Sequence, residues 1–259
     1  MSDELMENYN PAFSSPSLRS RVRKLIPREF ASSLRLPTNT LVIFKVGLPM
    51  VTNVPPDADA GRWNRRFESD DFVFGTDPNQ WLRRHAGAFP HRGRILCVAD
   101  GEGRNSVWLA RRGFQVDAFD ISEVGLAKAS KLAASAGVSV NYQLADCDGF
   151  AWPSAAYDGI AAIFVQFAAP DLRKRLFARM IASLKPGGTL ILQGYTPRQL
   201  EYKTGGPSAV SHLYTEAMLR EAFHELEIIE LREYETELSE GSGHHGRSAL
   251  IGMVAHRPS

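Results

Sequence analysis

The run Arg94-Ile95-Leu96-Cys97-Val98-Ala99-Asp100-Gly101-Glu102-Gly103-Arg104-Asn105 passes from an apolar stretch into a turn with two glycines and then into a helical pattern. Glycines at the end of a strand let the backbone approach a ligand closely, and the helix that follows offers unpaired N–H groups. About twenty residues on, Phe119-Asp120 ends a second apolar run, where an acid can accept both hydroxyls of an adenosine ribose. The plainer role for Asp120 is a helix cap, although Ser122 can take that duty instead. A dinucleotide fingerprint asks for a third glycine after Gly103, and Ser106 stands in its place. The pattern therefore points to an adenosine ligand with no pyrophosphate to cradle, of which S-adenosylmethionine is the commonest. Ala145-Asp146-Cys147 closes a third apolar run, and Asp146 is placed either to accept from an adenine amino group or to cap a turn with Asp148.

Such a site needs a sheet to carry it. From about Gly61 onward, short β-branched or apolar runs alternate with longer helical patterns, which predicts βα units and a parallel sheet. The predicted strands are 94–98, 115–119, 139–144, 159–165, 189–194, 227–234 and 248–255. Helical patterns cover 104–112, 124–136 and 172–184, and the crossover after Cys147 reads as short or irregular. Thr236 to Gly246, rich in glycine and histidine, reads as a connection between two antiparallel strands at the end of the sheet.

Residues 1–60 differ in texture. Seven prolines are scattered among serines with no sustained period, and from Ser17 to Lys45 seven basic residues face one acid, Glu29. Asp3, Glu4 and Glu7 argue against a transit peptide, so the segment is expected to be a poorly ordered, dispensable extension before a domain of residues 61–259. The whole chain holds 30 basic and 29 acidic residues, a balance that gives no footprint for nucleic acid or an anionic membrane. Two cysteines, Cys97 and Cys147, fit a reducing, cytoplasmic setting, and no uncharged stretch reaches the roughly 18 residues of a membrane span. The seven histidines show no ligand spacing with these cysteines, so no metal site is predicted.

The stretch from Trp63 to Pro258 resembles the class I S-adenosylmethionine-dependent methyltransferases, in the branch related to tellurite-resistance and thiopurine S-methyltransferases. The resemblance is carried by Trp63-Asn64-Arg65-Arg66-Phe67, by Phe72-Val73-Phe74-Gly75-Thr76-Asp77-Pro78-Asn79, by the glycine turn from Cys97 to Asn105, by Leu184-Lys185-Pro186-Gly187-Gly188, and by Gly194-Tyr195-Thr196-Pro197. Against the general class I pattern, Cys97 replaces the usual acid and Ala99 the usual first glycine.

This resemblance implies an α/β fold, a seven-stranded doubly wound Rossmann-like methyltransferase sheet, mostly parallel, with a C-terminal antiparallel hairpin. It implies S-adenosyl-L-methionine held by Asp100, Gly101, Glu102, Gly103 and Asn105 at the amino-acid end, Asp120 with Ile121 at the ribose, and Asp146 with Cys147 at the adenine. Methyl transfer is an in-line displacement that depends on proximity, alignment and exclusion of water, so no catalytic triad is expected and no catalytic residue is assigned. The acceptor is expected to be a small molecule, a thiol or chalcogen nucleophile by resemblance alone, or else an oxygen or nitrogen acceptor. Candidates for its pocket are Trp63, Phe67, Phe74, Gln166, Tyr195 and His244. The family has a histidine at what looks like position 244, whereas the plainer reading of His244 is an exposed residue of a hairpin connection. Gln166-Phe167-Ala168-Ala169 stands where base-modifying amino-methyltransferases carry a proline-rich tetrapeptide, which argues against a nucleic-acid substrate. A nicotinamide oxidoreductase and a non-catalytic S-adenosylmethionine-binding protein remain open from sequence.

Overall fold

The computed structural model describes residues 58–259. Strand β1 (Arg94–Val98) is apolar after its exposed first residue because both faces of Ile95 to Val98 are buried. Ile95 and Cys97 pack on one side with Val116 and Ala118 of β2 (Gln115–Asp120), and Leu96 and Val98 pack on the other with Phe119. Continuous apolar runs of this kind belong to parallel strands covered by helices on both faces. Strands β3 (Asn141–Leu144), β4 (Tyr157–Ile163) and β5 (Leu184–Tyr195) complete the parallel part, and β6 (Glu227–Glu240) and β7 (His244–His256) add the antiparallel end. The seven-stranded sheet has the order β3-β2-β1-β4-β5-β7-β6. Strand order therefore reverses between β1 and β4, and the crevice at their carboxyl ends is where open α/β sheets bind ligands.

The helices have identifiable starts. Helices α1 (Ala58–Arg66) and α2 (Gln80–His85) precede β1, and the Asn79 side chain caps α2 by accepting from Leu82 N. Helix α3 (Arg104–Arg111) begins at Gly103, whose φ of 89° suits glycine. A Cβ there would also meet Ala129 Cα at 2.8 Å, so the turn and α4 (Glu123–Ser135) approach too closely for any side chain. Ser122 caps α4 by accepting from Gly125 N, and Pro170 opens α5 (Pro170–Ser183) with its missing N–H in the first turn. The short helix α6 (Gln199–Tyr202) and α7 (Glu216–Ala222) lie between β5 and β6. No helix among the described residues is long and apolar enough to cross a membrane.

The fold departs from the sequence expectation in three places. Thr236–Gly246 is not a long connection: β6 runs to Glu240, β7 starts at His244, and only Gly241-Ser242-Gly243 turn. The strands continue because Leu238 packs with Tyr195, Leu213 and Leu250, while Glu240 is buried against a cation. Helix α7 was not expected; Thr215 caps it and Leu219 and Phe223 anchor it in the core. Leu184-Lys185-Pro186-Gly187-Gly188 lies within the irregular start of β5, where the register with β4 shifts. The predicted extension, residues 1–60, lies outside the described residues except for 58–60, which open α1.

Candidate functional site

At the carboxyl ends of β1 to β4 lies a cavity of about 250 Å³. Two of its residues hold left-handed backbone conformations without being glycine: Ala99 after β1 (φ 49°) and Phe164 after β4 (φ 56°). Such conformations cost free energy and concentrate where a backbone must be aimed at a ligand.

Asp120 ties the floor together. Its Oδ2 accepts from Gly101 N and its Oδ1 from Ser122 N, each at 2.8 Å, so one carboxylate fixes both the glycine turn and the start of α4. Burial pushes this carboxyl up to about 6, against the opposing pull of these amides. Asp100 is pushed up to about 7, chiefly by burial, with the charge of Asp120 adding and the nearby Ser106 opposing. Both Asp100 oxygens are out of solvent and without a hydrogen-bond partner. Asp146 lines the cavity and also accepts from Gly149 N at 2.5 Å, so the turn-capping role is real. Burial pushes the Cys147 thiol up to about 12, which removes it as a nucleophile near neutral pH.

Of the nine residues expected around the donor, Asp100, Gly101, Asn105, Asp120, Ile121, Asp146 and Cys147 line this cavity. Glu102 and Gly103 do not. Glu102 turns to Lys128 Nζ at 2.6 Å, and Lys128 also donates to the carbonyls of Ser69 and Asp71 at 2.7 Å, which clamps the chain after α1 onto α4. Gly103 is filled by its contact with Ala129.

Helix α1 and the following loop cover the cavity. Trp63 stacks on Phe67 (5.5 Å between centroids), Phe67 meets Phe74 edge-on (6.1 Å), and Phe74 lies 4.5 Å from the His244 ring. His244 lies 4.2 Å from Phe164, which lies 4.8 Å from Tyr195. This row of rings leads into a second cavity of about 350 Å³ that shares Arg62, Trp63, Phe74, Phe164, Phe167 and His244 with the first and adds, among others, Arg66, Gln166, Tyr195 and residues 206–209. Gln166 has little left for a ligand, since its amide accepts from Tyr195 N and donates to the carbonyls of Tyr195 and His212. The Tyr195 hydroxyl is buried and unpartnered.

The exposed reading of His244 is corrected: it is 8% exposed, enclosed by Phe74, Phe164 and Tyr195. Its Nδ1 faces Glu240 Oε2 at 3.7 Å. Burial lowers its pKa, Glu240 opposes this, and Arg104 and Arg66 lower it further, so the ring is neutral at pH 7. Glu240 itself pairs with Arg104 Nη2 at 2.8 Å and accepts from Asn79 Nδ2 at 3.1 Å. Burial alone would raise the Glu240 carboxyl, yet His244 and Arg104 hold it at about 2. Asn79, Arg104 and Glu240 escaped the sequence reading. The signal for Glu240 was the inward alternation Tyr234, Thr236, Leu238, Glu240, visible only once the charged last member is granted a buried partner. Among the described residues, no cluster of three or more His, Cys, Asp or Glu has the geometry to hold a metal ion.

Residues 95–188 match the family described as "Methyltransferase domain". A 66-residue stretch is 35% identical to the putative methyltransferase YqeM of Bacillus subtilis (strain 168), covering 26% of this chain and about a quarter (27%) of that relative's length. Among solved structures, the N-methyltransferase NodS of Bradyrhizobium japonicum WM9 in complex with S-adenosyl-l-homocysteine superposes with a TM-score of 0.59 at 15% identity, covering 78% of this chain and 100% of NodS. TehB of Haemophilus influenzae superposes with a TM-score of 0.56 at 18% identity, covering 76% of this chain and 66% of TehB. These likenesses are to the fold.

Proposed function

We propose, for a chain that carries a methyltransferase domain on a Rossmann-like methyltransferase fold, that it transfers a methyl group from S-adenosylmethionine to a small molecule. The observation that carries this reading is the convergence of the glycine turn, Asp120 and Asp146 on one cavity at the β1/β4 crossover. Charge supports it. The floor holds the carboxylates of Asp100, Asp120 and Asp146, while Arg104 is neutralised by Glu240 and Arg62 faces Asp59 at 3.3 Å. A pyrophosphate would be repelled there, whereas a ligand with a sulfonium, an ammonium and two ribose hydroxyls matches it.

In this reading the backbone at Gly101 with Asp100 and Asn105 borders the amino-acid end, Asp120 and Ile121 the ribose, and Asp146 and Cys147 the adenine. The bound donor supplies a methyl group on a positively charged sulfur. Trp63, Phe67 and Phe74 exclude water from the reacting centre, and the clamp through Lys128 holds them down. The acceptor enters from the second cavity. The resemblance to the tellurite-resistance and thiopurine branch favours a thiol or chalcogen, whereas the buried neutral imidazole favours an acceptor that must surrender a proton.

Calorimetric titration with S-adenosylmethionine, S-adenosylhomocysteine and NADH tests the donor. Micromolar binding of the first two without NADH is expected; binding of NADH alone overturns the reading. A labelled methyl donor, followed into product, then separates an enzyme from a mere binder.

A further inference from the structure

Three features mark the second cavity, which shares several of its residues with the donor cavity. Arg66 lies at its mouth over two ring faces, 5.3 Å from the centroid of Phe74 and 5.6 Å from that of Trp63. Arg62 beside it has Asp59, but no carboxylate of the described residues comes within 4 Å of Arg66. The walls are rings, with Phe164, Phe167 and Tyr195 joining Trp63 and Phe74 around about 350 Å³. That space suits an organic molecule and far exceeds a single chalcogen centre. At the inner end stand His244 and the unpartnered Tyr195 hydroxyl.

We propose that this cavity takes a planar aromatic acid, with its carboxylate against Arg66 and its ring lying along the aromatic wall of the cavity, and that the methyl group is placed on a ring hydroxyl whose proton passes to His244. The proposal rests on the donor reading of the first cavity. A carboxylate suits Arg66 because a guanidinium already stacked on aromatic faces loses little freedom in pairing with a planar anion. A hydroxyl suits His244 because a phenol, with a pKa of about 10, is largely protonated at pH 7 and gains from a base, whereas a thiol ionises more readily unaided.

Glu240 Oε2 lies 3.7 Å from Nδ1, beyond hydrogen-bond range, and its charge favours the tautomer with the proton on Nδ1, which makes Nε2 the base in this proposal. The charged groups facing His244 are Glu240, Arg104 and Arg66; burial does most to keep the imidazole unprotonated and the two arginines add to it, while Glu240 stabilises the imidazolium once it forms. In the step itself the acceptor O–H bond breaks and its proton goes to Nε2. The oxygen lone pair forms the new O–C bond to the methyl carbon, and the C–S electron pair returns to sulfur. The imidazolium then releases its proton to water that enters the cavity once the product has left.

The test uses the full chain saturated with S-adenosylhomocysteine, titrated with 2-, 3- and 4-hydroxybenzoate and with phenol, and then the labelled methyl donor with the same compounds. At least one hydroxybenzoate should bind about tenfold more tightly than phenol and yield an O-methyl product. Arg66→Gln should abolish that preference by raising KM about tenfold with little change in kcat. His244→Asn should lower kcat about 10²-fold and remove the fall in rate on acidification below pH 6.5, a limb that a packing role would leave in place. Equal binding of phenol and all three acids, or an unaltered preference in Arg66→Gln, would overturn the proposal. So would S-adenosylhomocysteine binding with no hydroxybenzoate binding, and that result leaves the donor reading standing. Failure of S-adenosylhomocysteine to bind overturns the donor reading and this proposal with it.

Discussion

The two halves of the site are built by opposite means. The half proposed for the methyl donor, at β1, β2 and β3, is local: Asp120 reaches Gly101 across 19 residues and Ser122 across two, and its groups are backbone amides and carboxylates at strand ends. The half proposed for the acceptor is assembled from afar: Asn79 and Glu240 are 161 residues apart, and His244 meets Phe74 only because the β6–β7 turn folds over the loop after α1. A local site can be written as a motif, while a distant one exists only after the sheet has formed. Its stability should therefore hang on the few polar contacts that join the segments.

Glu240→Ala strikes that difference hardest. It leaves the Arg104 guanidinium buried without a counter-charge and removes an acceptor from Asn79 and Gln80. Breaking one partner of a buried pair costs about 3–5 kcal/mol, which chemical denaturation would register. The effect must also depend on pH. The folded-state pKa of Glu240 lies at about 2, below its ordinary 4.5, so its contribution is present above pH 4.5 and fades as pH falls toward 2. Parent and variant should converge over that window. A pH-independent difference would mean that the hairpin is held by packing alone.

Asp120→Ala is the corresponding break in the donor half. Loss of hydrogen bonds to a charged acceptor should weaken S-adenosylhomocysteine affinity by about 1.5–3 kcal/mol, read by calorimetry on a folded variant. Unchanged affinity would separate Asp120 from the ligand and leave it as the tie between Gly101 and Ser122. Together the two substitutions should divide cleanly, with Glu240→Ala acting on stability and Asp120→Ala acting mainly on donor affinity.

The same contrast explains what could be read from the chain. The strands and the glycine turn were legible because buried parallel strands are continuous apolar runs and because Gly101 and Gly103 mark a backbone that turns left-handed. The hairpin was not, since Thr236-Glu237-Leu238-Ser239-Glu240 looks polar until Arg104 and Asn79 are known to wait for Glu240. His244 looked exposed for the same reason, sitting beside two glycines in a polar run while three rings far away in sequence enclose it. Local signals marked Asp120 and Asp146, which line the first cavity, but nothing local distinguishes Gln166, whose polar atoms hold up the backbone, from a group free to meet a ligand.

A smaller effect of the opposite sign belongs to Asp100 in the donor half. Its carboxyl, raised from 3.8 to about 7 by burial, binds a proton in the folded state at pH values where the unfolded chain has lost it. This group therefore makes the protein less stable as pH rises from about 4 to about 7. Asp100→Asn removes the buried charge and should raise stability at pH 8 by about 1–3 kcal/mol, the cost of an unsatisfied buried group, with no gain at pH 4. Scanning calorimetry at the two pH values would show it. Equal gains at both would place the benefit in packing and not in charge.

Asn64→Ala should have the mildest effect, and it tests the seam between the halves. The Asn64 Oδ1 accepts from Ser122 Oγ at 2.6 Å, while Ser122 Oγ in turn accepts from Gly125 N, so one hydroxyl both caps α4 and holds α1 over the donor cavity. The lost bond is worth about 0.5–1.5 kcal/mol. Because Lys128 still grips the carbonyls of Ser69 and Asp71, the loss should fall on α1 alone. Limited proteolysis should cut sooner within residues 58–67, S-adenosylhomocysteine should dissociate several-fold faster, and the global denaturation midpoint should hardly move. A drop in the midpoint equal to the whole bond would show that α1 unfolds with the sheet, and that the cover belongs to the core and not to the acceptor half.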